Sequence, residues 1–143
     1  MTAFFDHFAH PHWPDLTPFA EASLVIKVHL LAALVAFVIA TIQIVGPKGT
    51  VPHRLMGWIW VIFMFTVAVS SFFIQLINPH GFSFIHVLSA ITLIALPLMV
   101  FAARRHDVKA HKRHAIQLYV GALLIAGIFT FMPGRLMWQV FFG

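Results

Sequence analysis

The chain has no cysteine. That excludes disulfides, cysteine-ligated iron–sulfur clusters, zinc ribbons and covalent c-type haem attachment through C-x-x-C-H. Any bound metal falls to His, Met or carboxylate. Carboxylates are scarce too: Asp6, Asp15, Glu21 and Asp107 are the only acids, and all lie in the N-terminal head or in a connection. Charged residues make up 9% of the 143, against 61% hydrophobic. A soluble domain of this length could not cover that much apolar surface with so few charges. Disorder is excluded by the same figures, because there is ample apolar area to bury. The net charge of +5 does not point to nucleic acid. The basic residues concentrate in two short connections between apolar segments, where membrane orientation explains them.

What is present is four long apolar segments. Residues 1–21 form a polar, aromatic-spotted head without the basic start of a signal peptide. The first span is expected over 22–45 and is broken by Gly46, Pro47 and Gly49. The second is expected over 52–77, with Pro52 suited to a first helical turn. The turn Asn78–Gly81 leads to a third span over 83–103. Asp107 is the expected N-cap of a fourth span over 108–132, which Pro133 and Gly134 end. The tail 136–143 is expected to lie in the interface. Each span exceeds the roughly 20 residues needed to cross about 30 Å of hydrocarbon. Strands could not satisfy their backbone there unless closed into a barrel. The expected fold is all-α: an integral membrane four-helix antiparallel bundle over 22–135, in contact with the lipid bilayer.

Lys48, Arg54, Arg104, Arg105, Lys109, Lys112 and Arg113 fall on one side of such a bundle, and only Lys27 and Arg135 on the other. The positive-inside rule then puts both connections in the cytoplasm and both termini outside, in a bacterial inner membrane. Trp13 and Trp138 would mark the outer interface, with Trp58 and Trp60 toward the inner one.

Four histidines alternate between the two sides: His29, His53, His86 and, in the last segment, His111 or His114. Ionisable side chains inside membrane spans are costly and mark function. By depth they pair as His29 with His86 in the outer leaflet, and His53 with His111 or His114 near the inner. His29 and His53 are 24 residues apart, and His86 and His111 are 25 apart. This weak repeat favours His111, although His114 shares its face at i+3. His29 continues into Ala33, Ala36, Ala40 and Gln43, and His53 into Gly57, Trp60 or Val61, Met64, Ala68, Ser71 and Gln75. Such stripes leave room for a flat macrocycle or, equally, for close helix packing.

Two imidazoles per layer suit axial ligation of a haem, whose porphyrin supplies the other four ligands. Tetrahedral zinc would need three or four protein ligands at one level. The expected cofactor is one or two haem b groups, with His29, His86, His53 and His111 as metal ligands. Arg54, Lys112 and Arg113 on the inner side, and Lys27 on the outer, are candidates for the propionates; topology charge is the plainer explanation of each. His7, His10 and His12 form H-x-x-H-x-H, which can take Cu(II), Ni(II) or Zn(II) in a flexible head. His80 and His106 read as loop residues, and Pro97 as a kink. Ser70, Ser71, Thr66 and Thr92 read as hydroxyls that satisfy backbone or neighbouring helices.

At PHRLMGWIWV and RRHDVKAHKRHAIQLYVG the chain resembles an uncharacterised bacterial four-helix membrane family, domain-of-unknown-function family 2306, over nearly its whole length. The family pattern matches His53-Arg54, His86 and His111-Lys112-Arg113, and it places Trp where His114 stands. That resemblance implies a fold but no activity. In arrangement alone the chain is similar to di-haem cytochromes of the b-561 kind, which pair histidines of helices one and three and of helices two and four.

Together these readings lead to a transmembrane b-type electron carrier, exchanging electrons with a quinone or a redox protein. The alternative is a non-enzymatic accessory or assembly subunit of a larger respiratory or photosynthetic complex. A histidine relay for metal or protons is a third reading, weakened by the lack of a carboxylate inside the spans.

Overall fold

A computed structural model of the protein describes residues 13–77 and 84–142, with 75–77 as backbone only. His7, His10, His12 and His80 lie outside the described residues. Helix α1 spans Thr17–Glu21, α2 Leu24–Val45, α3 Val51–Ile77 and α4 Phe84–Arg104. A further helical run follows: α5 over Val108–Gln117, a π-helical stretch over Leu118–Ile125 and α6 over Ala126–Phe129. Helix α7 covers Leu136–Phe142. No strand occurs among the described residues.

The helix boundaries have local causes. Ser23 caps α2, its Oγ accepting from the Ile26 N–H at 3.4 Å. At the other end Gly46 donates to the Ile42 carbonyl at 2.8 Å, and a Cβ at Gly46 would meet that oxygen at 2.9 Å. Only glycine fits that approach. Thr50 Oγ1 accepts from the His53 N–H at 3.3 Å and so opens α3, and Asp107 Oδ1 accepts from the Ala110 N–H at 3.0 Å and opens α5. The turn between α4 and α5 puts His106 at φ 57°, a left-handed conformation uncommon outside glycine. The loop residue read from the sequence therefore carries the sharpest bend of its connection.

Helices α2, α3 and α4 are each long and apolar enough to cross a membrane. Helix α3 packs on α2 and α4, α5 packs on α4, and the π stretch touches both α4 and α2. The shared core is Ala36, Ala40, Trp60, Met64, Leu96, Met99, Leu118 and Leu123. Trp60 belongs to this core, donating its Nε1–H to the Ala36 carbonyl at 3.0 Å, whereas Trp58 is exposed. The outer faces carry Leu31, Leu34, Ile62, Phe65, Ile94 and Phe101 in the open. Apolar surface on that scale belongs against lipid rather than water.

The last run departs from the uninterrupted helix expected over 108–132. It widens into π geometry at Leu118 and ends at Phe129. The widening carries Tyr119 to α2, where its hydroxyl lies 3.1 Å from Thr41 Oγ1 and its ring stacks on Phe37 at 5.6 Å. Such single-stretch π bulges re-aim side chains that a 3.6-residue turn would misplace. The C-terminal tail is a helix folded back on the N-terminal segment. Trp138 and Val140 are buried, α7 packs on α1, and the Asp15 N–H donates to the Val140 carbonyl at 2.9 Å.

Candidate functional site

Near the basic end of the bundle, the His53 and His111 rings stand 6.4 Å apart between centroids, with an interplanar angle of 73°. It is thus the His111 ring that faces His53; His114, half-buried one turn on, has the last-turn position of α5. His53 sits in the first turn of α3, and His111 in the first turn of α5, so two helix starts bring them to one level.

The hydrogen-bond partners fix which ring nitrogen holds the proton. His111 Nδ1 lies 3.1 Å from the Met99 carbonyl. A carbonyl only accepts, so Nδ1 carries the hydrogen and Nε2 keeps a bare lone pair in the neutral ring. His53 has the opposite arrangement. The Gln43 carboxamide, oriented with its nitrogen toward His53, donates to His53 Nδ1 at 2.8 Å and to the His53 carbonyl at 3.1 Å, while its oxygen accepts from the Gly57 N–H at 3.1 Å. With Nδ1 accepting, the neutral His53 ring carries its hydrogen on Nε2. Gly57 lies close under this contact: a Cβ there would stand 3.7 Å from the Gln43 amide, in ordinary van der Waals contact.

Toward the other end, His29 Nδ1 lies 2.9 Å from Ser70 Oγ. The Ser70 hydroxyl already donates to the Thr66 carbonyl at 2.6 Å. It therefore accepts from His29, whose Nδ1 holds the proton; the Val67 carbonyl is a second acceptor beside it. His29 Nε2 is then bare, as in His111. At the same level the Ser89 hydroxyl donates to Ser71 at 2.9 Å, and His86 packs on Phe72 at 5.9 Å between ring centroids. His29 is thus seated against Ser70 and His86 against Phe72, at one level of α3 but about 200° apart around its axis.

The small stripes are filled by neighbouring helices. Ala36 and Met64 are wholly buried, and Trp60 reaches across to the α2 backbone. Close packing is what Ala36, Ala40 and Gly57 provide here. Among the described residues, grooves open on the outside of the bundle, two of them between long helices. One lies between α2 and α3, with Val28, Val69 and Ser70 in its lining; the other lies between α3 and α4. None of the four histidines lines either. Arg54, Lys112 and Arg113 are exposed. Lys27 is tied to the Ala20 carbonyl at 2.7 Å, which fastens α1 to the start of α2.

Among the described residues no group of three or more His, Asp or Glu converges on one point. A tetrahedral metal held by protein ligands alone has no site there. A histidine pair suits a metal that brings its own equatorial ligands. Two metal–nitrogen bonds of about 2 Å in line would put the ring centroids roughly 6 Å apart, and the inner pair stands at that spacing. His111 offers a bare Nε2 in its present tautomer, His53 would do so once its proton moved to Nδ1, and neither outer groove reaches the pair.

Gln43, Ser70 and the Met99 carbonyl are the partners that sequence reading did not assign. Gln43 had a signal, as a carboxamide inside an apolar span. The backbone carbonyl had none. Comparison with family models, curated proteins and solved structures finds no match to this chain.

Proposed function

We propose that the protein is a four-helix integral membrane electron carrier that holds haem b between His53 and His111. The observation that carries this reading is the ring spacing of 6.4 Å together with the Met99 anchor on His111. An imidazole that donates one N–H to a backbone carbonyl and leaves the other nitrogen bare is the usual form of a metal-ligating histidine. Haem, when bound, supplies one-electron exchange at its iron. The chain's part is to hold the two imidazoles at the basic face, fix the His111 tautomer and exclude water through the Trp60–Met64–Leu118 core. Arg54 and Lys112 would balance the propionates. His29 and His86 are the second, outer pair in this reading, with a quinone or a redox protein as partner.

The four-crossing topology is part of the proposal. Support comes from the two ends of the chain. Asp15 and Val140 are hydrogen-bonded, which supports an even number of crossings between them and, with it, a crossing by Val108–Phe129 beside the three long helices. The excess of Lys and Arg between α2 and α3 and between α4 and α5 favours a cytoplasmic location for those connections, in the bacterial inner membrane. Membership of the family 2306 group and the b-561-like arrangement stand with this reading as expectations from the sequence.

The test is an absorption spectrum of protein purified after expression with haem supplied. Soret and alpha bands that weaken in His53→Ala and His111→Ala support the reading, and their absence from the unaltered protein ends it. One observation favours the accessory-subunit alternative: the bundle centre is already filled, with Ala36 and Met64 wholly buried. Recovery of a stoichiometric membrane partner and no chromophore in mild detergent would establish that alternative instead.

A further inference from the structure

A groove of about 480 Å³ runs along the outside of the bundle between α3 and α4. Val61, Phe65, Leu93, Pro97 and Val100 line it, and Arg104 stands at its end. From Leu93 to Arg104, α4 rises about 16 Å at 1.5 Å per residue. One leaflet of a 30 Å hydrocarbon core is about 15 Å deep. The groove therefore measures one leaflet, with its cation at the interfacial end and Thr66 the polar side chain in the lining of its deeper part.

The polar groups along it are distributed unequally. The Thr66 hydroxyl in its wall is engaged, donating to the Ile62 carbonyl at 2.9 Å. The middle of the groove thus has no free side-chain donor for a polar ring buried there. Arg104 is exposed, and its guanidinium lies 5.9 Å from the centre of the Trp58 ring, an aromatic of the kind that sits at headgroup level. Asp107, the acid nearest in sequence, is occupied at the start of α5. The rest of this face is basic: Arg105, Lys109, Lys112 and Arg113 follow within ten residues of Arg104.

We infer that this groove binds one anionic phospholipid from the leaflet on the basic face. One of its acyl chains lies along Val61, Phe65, Pro97 and Val100, and its phosphate takes the Arg104 guanidinium, whose planar fork suits two phosphate oxygens. Charge complementarity at one end and a one-leaflet length select a phospholipid over a quinone, whose polar ring would need a donor deeper in the groove. The inference does not depend on haem.

Native mass spectrometry of the full chain, titrated with phosphatidylglycerol or phosphatidylcholine of the same acyl chains, tests it. One phosphatidylglycerol should be retained about fivefold more tightly than phosphatidylcholine, the worth of one interfacial basic residue. Arg104→Gln should erase that preference, while Arg105→Gln keeps it. Val100→Trp, with helicity checked by circular dichroism, should weaken retention of both lipids by filling the groove. Equal retention of the two lipids, equal losses in Arg104→Gln and Arg105→Gln, no effect of Val100→Trp, or displacement of the bound lipid by an equimolar ubiquinone analogue would each overturn it. None of these readouts involves the absorption spectrum, so failure here and failure of the electron-carrier reading are separate results.

Discussion

The Gln43 amide stands 2.8 Å from His53 Nδ1 and bonds the backbone on both sides of the same helical turn, at the His53 carbonyl and the Gly57 N–H. One carboxamide thus reads out the proton position of a histidine. With its nitrogen toward the ring, every contact pairs a donor with an acceptor. Turned over, its oxygen would accept a His53 Nδ1–H and free Nε2 for ligation, but it would also face the His53 carbonyl. The donor–acceptor pairing favours the first orientation, and a metal at Nε2 would favour the second.

Gln43→Glu should therefore shift His53 toward the Nδ1–H form, because a carboxylate only accepts. Nitrogen NMR of labelled histidine is the direct readout: the His53 Nε2 signal should move toward that of an unprotonated nitrogen. If haem binds, changes to such a supporting partner alter affinity by about 10- to 100-fold. Gln43→Glu should raise it relative to Gln43→Leu. An identical His53 spectrum in both variants would show that Gln43 does not set the tautomer.

Gly57 provides a second handle on the same contact. A Cβ at this position meets the Gln43 amide at 3.7 Å, ordinary van der Waals distance. Gly57→Ala should thus be accepted, and helix propensity alone favours it by about 1 kcal/mol. Gly57→Leu should push Gln43 off the turn, at a cost of about 1–3 kcal/mol for overpacking. Thermal unfolding in detergent should rank the three proteins Ala, Gly, Leu from most to least stable. Were alanine as harmful as leucine, the fit at Gly57 would be tighter than its neighbours indicate.

Much of this arrangement was legible in the sequence. The three long helices, the Asp107 cap and the breaks at Gly46 and Pro47 follow from apolar length, capping chemistry and chain punctuation. So does the meeting of His53 with His111, which depth and spacing favour. What was not legible depends on helix rotation. Whether Ala36 and Gly57 make room for a macrocycle or for a neighbour depends on which face turns inward, and the structure puts Trp60 and Gln43 into that space. The π stretch at Leu118–Ile125 was also hidden, since no local breaker marks it. The Met99 carbonyl that anchors His111 belongs to the backbone, and residue types do not reveal it.

The Trp60 bond to the Ala36 carbonyl separates packing from hydrogen bonding in the core. Trp60→Phe should lose the bond while keeping most of the apolar volume. Hydrogen bonds between membrane helices average about 0.6 kcal/mol, so that variant should unfold only slightly earlier. Trp60→Ala also empties the centre next to Met64, and large-to-small core changes of this kind cost about 3–5 kcal/mol. Unfolding in a denaturing detergent, followed by circular dichroism, gives both values. A large loss in Trp60→Phe would mean that the indole N–H, rather than its bulk, joins α2 to α3.

The absence of cysteine makes the topology directly measurable, because every introduced thiol is the only one in the chain. Asp15 is bonded to Val140, so Thr17→Cys and Gln139→Cys should react with a membrane-impermeant maleimide from the same side of sealed vesicles. Lys112→Cys, in the exposed first turns of α5, should react from the opposite side. Intact cells should label the first two and spare the third if the basic connections are cytoplasmic. Labelling of all three from one side would remove the crossing by Val108–Phe129 and with it the four-helix bundle. Labelling of Thr17→Cys and Gln139→Cys from opposite sides would instead break the Asp15–Val140 contact on which the even count of crossings rests. If the sides are as expected but reversed, so that only Lys112→Cys labels in intact cells, the bundle stands and the charge-based orientation fails. The three thiols thus test the fold and its direction independently, without any assumption about what the histidines hold.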